Sequence, residues 1–318
     1  MLMWLLVLAP LFAGVLCLAV KDFRRQVALS LIACMAAAGG IFALWTGRLT
    51  DPGVELVLPG LRLVLSAEGI GLVLAAFALL LWLASLFFSL SWFQPHEDNR
   101  RYMLLLGATC TGILITFLGG DFLTLFLGFE MMSLASWGLV IHTQTEKAYQ
   151  AGGLYLYLGV AGGLLLLTSL AMIYHYTGSF AFDTPFAAGA PVETIMLLML
   201  AGFGVKAGMI PVHVWLPEAH PAAPVPASAL LSGILIKTGA YGILRTLGLA
   251  ASLPEVLTAL GLTVLLLGII TMTFGVLMAL LQHEAKRMLA YHSISQMGYI
   301  LTGLGTAAFL GAAGGEGL

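Results

Sequence analysis

Residues 201–224 read AGFGVKAGMIPVHVWLPEAHPAAP, in a chain of 318 residues that is 60% hydrophobic and 9% charged. Lys206 lies in the middle of the apolar run LLMLAGFGVKAGMIP. Gly204 and Gly208 flank it in a GxxxG pattern, which thins a helix and admits a close neighbour. Pro211 removes a backbone N–H and breaks the hydrogen-bond ladder. Pro217, Pro221, Pro224 and Pro226 prolong the disruption. In an oily interior, non-helical backbone is tolerated only where protein buries it or a water-filled cavity meets it. The stretch therefore predicts one discontinuous helix near 193–218, broken beside a lysine, the arrangement expected at a membrane ion site.

The rest of the chain supplies the membrane. Its mean hydropathy of +1.03 is beyond what a soluble domain can bury, so lipid must be its solvent. The fold expected is an all-α polytopic membrane helix bundle. A hydrocarbon core of roughly 30 Å takes about 20 helical residues, and on that rule about ten spans emerge. They fall near 1–20, 27–46, 69–93, 102–119, 121–142, 150–176, 193–218, 226–247, 255–281 and 288–310. The first has no basic n-region and its charges follow it, so it reads as a span and not a signal peptide. Cys17, Cys34 and Cys110 sit in apolar runs without a CxxC pair and read as small hydrophobes. No cluster, nucleotide loop or haem-pair spacing is evident, so no cofactor and no metal are expected. The near-neutral net charge of −2 gives no reason to expect nucleic acid.

Loop charges set the orientation. Lys21, Arg24, Arg25, Arg100, Arg101, Lys147, Lys286 and Arg287 fall in the first, third, fifth and ninth connections. By the positive-inside rule these face the cytoplasm and the N-terminus lies outside. The second connection, TGRLTDPGVELVLPGLRLVLSAEG, carries only Arg48 and Arg62 and alternates apolar and polar residues around Pro-Gly, the pattern of a small external hairpin.

Two more ionisable groups share Lys206's problem. Lys237 lies mid-span in SALLSGILIKTGAYGILR, and Glu130 about nine residues into DFLTLFLGFEMMSLASWGLVIH. A central lysine costs about 2.5–3.5 kcal/mol on insertion scales. A carboxylate at that depth stays ionised only with a cation beside it, and Lys206 is the natural partner. Such a pair couples the proton affinity of each group to the charge of the other; a fixed pair that merely sets helix packing is the plainer reading. Ser228 and Ser232 form a stripe leading toward Lys237 and Tyr241. His292, Gln296 and Tyr299, spaced i, i+4, i+7, share a face of the tenth span, and His292 is suited to relay or gating. His213, Glu218 and His220 follow the break. Glu218 and His220 are expected near an aqueous surface, as a route for water, a gate or simply a turn.

FLGFE, GFGVKAGMIPVHVWLPEAHPAAP, SGILIKTGAYGILR and HEAKRMLAYHSISQMGYI together resemble the antiporter-like membrane subunits. That family includes proton-pumping subunits of respiratory complex I, large subunits of multisubunit sodium/proton antiporters and large subunits of membrane-bound hydrogenases. The resemblance covers roughly residues 100–305. The wording LPEAHPAAP, SALLSG and LAYHSI is most similar to the formate hydrogenlyase or hydrogenase-4 type. The resemblance implies two inverted five-helix repeats, each with a broken helix. It implies a proton-loading pair at Glu130 and Lys206, and a central hydrophilic axis through Lys237 toward His292. Residues 1–101 would then hold three leading spans with the hairpin, 102–250 the first repeat, and 251–318 the start of a second, of which only spans nine and ten are present; the expectation is that the remainder is missing or supplied by a partner.

These readings converge on an expected proton-translocating subunit of a redox-driven ion-pumping complex in a prokaryotic inner membrane, with no catalytic chemistry of its own. Expected partners are other membrane subunits and peripheral hydrogenase or dehydrogenase subunits. The competing readings are a sodium/proton antiporter subunit, a non-pumping membrane anchor, and a cytochrome with haem between His142, His175, His213, His220 or His292.

Overall fold

The computed structural model describes residues 2–47, 54–58, 61–67, 69–94 and 98–314. Arg48, Pro59, Gly60 and the end of the GAAGGEGL tail lie outside the described residues. The architecture is the expected all-α polytopic membrane bundle. Eight helices or helix runs among the described residues are long and apolar enough to cross a bilayer. The remaining two expected spans correspond to a 16-residue apolar helix at the N-terminus and a 30-residue polar-striped helix at the end. The chain divides into two compact units, residues 1–152 with 222–234, and residues 153–221 with 235–318.

The first unit contains α1 (Leu2–Cys17), α2 (Phe23–Trp45), the strands β1 (Val54–Leu58) and β2 (Leu61–Leu65), α3 (Gly69–Trp92), α4 (Arg100–Leu118) and α5 (Phe122–Val140). It also takes the start of α6 (Glu146–Thr177) and all of α9 (Val225–Leu230). The strands form the expected antiparallel hairpin, with Val54 opposite Leu65. Its second strand is pinned to the α4–α5 turn: Ser66 N–H donates to Leu118 O at 2.7 Å and Gly120 N–H to Val64 O at 2.8 Å. Asp121 caps α5 by accepting from Thr124 N–H at 2.6 Å, which satisfies a donor that helix geometry leaves open. Glu130 is half-buried on α5.

The second unit contains the remainder of α6, α7 (Val192–Ala207), a 3-10 turn (Val212–Trp215), most of α8 (Leu216–Ala222), α10 (Ile236–Leu249), α11 (Pro254–Leu280) and α12 (Ala285–Gly314). α11 and α12 form a tight antiparallel hairpin. Gly261, Gly268 and Gly275 recur every seven residues along α11, and a Cβ at each would come within 2.7 Å of the backbone nitrogens of Phe309, Thr302 and Ser295. Small residues on one stripe let the two backbones touch.

α9 continues into α10 through a five-residue π segment (Leu231–Leu235), a widened turn two residues ahead of Lys237. Such turns concentrate at functional positions, and nothing in the sequence pattern announced this one.

Candidate functional site: a buried lysine at a helix break

The break predicted at Pro211 occurs three residues earlier. α7 stops at Ala207 because Gly208 takes a left-handed conformation with φ +68°. Gly208 N–H returns to Val205 O at 3.2 Å and Met209 N–H to Gly204 O at 3.0 Å, the paired bonds of a glycine C-cap. Gly204 leaves room for Met209 to fold over the helix end, where its Cε lies 2.5 Å from the position of a Cβ. Gly208 thus terminates α7 instead of thinning it for a neighbouring helix. The chain then crosses Ile210–Pro211, a cis peptide bond, into the 3-10 turn. The freed Ile210 N–H donates to Thr271 Oγ1 of α11 at 3.2 Å.

This cap puts Lys206 in the last turn of α7, where the negative end of the helix dipole favours a cation. Lys206 is only 3% exposed. Its ammonium donates to the Tyr155 phenol oxygen at 2.6 Å. It also lies 4.4 Å from the Tyr155 ring centre and 5.7 Å from that of Trp215. The two rings meet edge-on at 4.8 Å, and the Trp215 indole N–H donates to Val205 O at 2.7 Å. The tryptophan that follows the break is thereby tied to the helix end that precedes it. A hydrogen bond to a charged group is worth about 1.5–3 kcal/mol and a desolvated cation–π contact about 2 kcal/mol. Together, at about 3.5–5 kcal/mol, they are enough to offset the cost of placing a lysine in a membrane, about 2.5–3.5 kcal/mol.

α10 packs on this end of α7. Gly239 faces the backbone of Phe203 and Ala207, and Gly242 faces the Phe203 ring. Lys237 is half-buried on α10. His220 is 2% exposed and lies within electrostatic reach of Lys237 and Lys286. His220, expected near an aqueous surface, is turned inward on α8 and is not open to solvent in this chain. Glu218 on the same helix is half-exposed and forms an ion pair with Arg287. Lys286 adds a hydrogen bond to Pro221 O at 3.3 Å, so the start of α12 clamps α8. His213 is buried edge-on against Phe274 with ring centres 5.1 Å apart.

Tyr241 is 2% exposed and its oxygen accepts twice from Arg245. On α12 the expected polar face exists but points outward in this chain. His292 and Gln296 are exposed, and Tyr299 is 57% exposed. Ser295 turns inward instead and donates to Met272 O at 3.0 Å. Ser228 is buried and Ser232 half-buried.

A bundle of helices long and apolar enough to cross a bilayer, one of them interrupted beside a buried, ring-caged lysine, defines a polytopic membrane protein. The family model described as NADH:quinone oxidoreductase/Mrp antiporter, TM, matches residues 119–314, and the chain belongs to this family. It is 40% identical over 182 residues to hydrogenase-4 component B of Escherichia coli (strain K12), covering 56% of this chain and 27% of that one. It is 35% identical over 218 residues to NADH-quinone oxidoreductase subunit N of Desulfitobacterium hafniense, covering 67% and 44%. The chain thus spans about a quarter to under a half of the length of these two relatives. The structure resembles a chain of the membrane-bound sulfane sulfur reductase, an archaeal respiratory membrane complex, with a TM-score of 0.82 at 28% identity over 97% of this chain and 53% of that one.

Proposed function

We propose that this chain moves protons across a prokaryotic inner membrane, as the antiporter-like subunit of a redox-driven ion-pumping complex of the hydrogenase or NADH:quinone oxidoreductase type. The observation that carries the reading is Lys206, an amine 3% exposed in a two-ring cage at a helix break. A buried ionisable group beside irregular backbone is the form an intramembrane proton site takes. In this mechanism Lys206 is loaded with a proton, and Glu130 biases its affinity as the acidic partner. The proton passes on to Lys237 and then toward His292. Tyr241 and Gln296 border the path; His213, Glu218 and His220 control the access of water to it. The half-exposed Glu218–Arg287 pair fits a cytoplasmic mouth, given the basic loops on that side and an N-terminus outside. Family membership and the likeness to hydrogenase-4 component B support this assignment. The partners are other membrane subunits, with peripheral subunits carrying the redox chemistry.

The test is proton uptake into inverted vesicles that contain the assembled complex, driven by its electron donor and followed with a pH-sensitive dye. Lys206→Ala is expected to abolish uptake, and Glu130→Gln to reduce it at least ten-fold, with the complex still assembled. Wild-type uptake in Lys206→Ala would refute the reading. Uptake that requires sodium would instead place the chain with the sodium/proton antiporters.

A further inference from the structure

We propose that Arg245 is a positioning residue that occupies the oxygen of Tyr241 and so seals one end of the Lys237 stripe against protons. The inference rests on the function proposed above and adds a residue that the reading leaves unassigned.

Lys237, Tyr241 and Arg245 are spaced i, i+4, i+8 on α10 and share one face. Arg245 is four residues from the end of α10. A guanidinium so placed ordinarily reaches toward the helix end and water. Here it folds back one turn into the span. Its Nε and Nη2 both donate to the Tyr241 oxygen, at 3.0 and 2.7 Å. Its carbon centre lies 4.4 Å from the centre of the Phe182 ring, in the 178–191 connection. The ring stacks on the guanidinium as a cation–π contact.

The chemistry follows from the bonding. A phenol relays a proton by accepting one on oxygen while releasing its own. Two lone pairs are available on that oxygen, and a two-pronged donor fills both. Arginine cannot take the proton itself, because it stays protonated at any relevant pH. Its fixed positive charge also repels a proton approaching along the stripe. Tyr241 can donate but cannot receive, so its oxygen offers no landing place for a proton arriving along the stripe from Lys237. Phe182 and the end of α10 also fall on the same side of the membrane by helix parity, as a seal at one mouth requires.

The experiment reads passive decay of an imposed pH gradient in inverted vesicles that hold the intact complex, with no electron donor present. Arg245→Ala is expected to speed the decay at least three-fold. Arg245→Lys, which keeps the charge and loses the fork, is expected to speed it to a smaller extent and gives a second reading should the alanine chain fail to accumulate. Adding Lys237→Ala to either variant is expected to restore slow decay, because the leak must pass through Lys237. Wild-type decay in both single variants, with the chain at normal level, overturns the proposal. Fast decay that persists without Lys237 also overturns it, because it signals a general breach. Driven uptake in Lys206→Ala is a separate readout: its loss together with unchanged decay in the Arg245 variants sinks the seal alone. Its retention sinks the underlying reading.

Discussion

Replacing Gly239 by alanine is expected to part α10 from α7 and disable the lysine site. The added methyl would lie 2.5 Å from Ala207 N, 2.7 Å from Phe203 O and 2.9 Å from Ala207 Cα. All three are backbone atoms, so no side chain can swing aside. Ordinary contact begins at 3.4 Å, so the helices must separate by nearly 1 Å at this point. Overpacking of this kind costs about 1–3 kcal/mol, partly offset by alanine's better helix propensity, worth up to about 1 kcal/mol. Lys206 rides on the displaced turn. A shift of that size would carry its 2.6 Å bond to Tyr155 beyond hydrogen-bonding range. In reaction sites a misplacement of about 1 Å costs on the order of 100-fold, so driven proton uptake is expected to fall 10-fold or more. Gly248→Ala is the control: it lies on the same helix with no atom within 4 Å of the new methyl, and both uptake and thermal midpoint are expected to stay at or above wild type. Wild-type uptake and an unchanged midpoint in Gly239→Ala would refute the close packing of α10 on the site.

Thr271→Val preserves shape but removes the acceptor of Ile210 N–H at the break. An unsatisfied buried donor costs about 1–3 kcal/mol, so the solubilised complex is expected to melt earlier than Thr263→Val, whose hydroxyl donates to its own helix at Ala259 O; equal midpoints would count against it. Asp98 makes a pH prediction. Its hydrogen bonds with Arg100 hold the exposed carboxyl down to about 2. A depressed acid contributes above its unfolded value near 4 and loses that contribution only as pH falls through about 2. Asp98→Asn is therefore expected to shift the melting midpoint by a small amount that is constant from pH 5 to 8, and a difference that grows across that window would refute the pairing.

Much of the fold was legible because apolar run length is a direct readout of bilayer thickness. The run 69–93 became Gly69–Trp92 and the run 121–142 became Phe122–Val140. The discontinuity near 193–218 was also legible, from its prolines. The residue that makes the break was not: a left-handed Gly208 looks no different in sequence from a packing glycine. Tyr155 was missed for a related reason. The run LYLYLG offers two tyrosines, and burial separates them, with Tyr155 at 3% exposure and Tyr157 at 74%; both positions are equally apolar in their neighbours. Trp215 stood inside the decisive stretch, but its bond to Val205 needs a chain reversal that spacing cannot reveal. Periodicity correctly grouped His292, Gln296 and Tyr299 on one face of α12. It could not say which way that face looks.

The α11–α12 hairpin has a mechanical consequence. Its seam is backbone against backbone at every seventh residue, and at those points no side-chain rotamer can absorb a displacement. Sliding one helix past the other would force glycine stretches over bulkier neighbours, so the pair moves as a single stiff lever. The lever's near end grips α8 through Arg287 and Lys286, while its middle holds the interrupted segment through Thr271. A nudge delivered at either place is passed to the other with little damping.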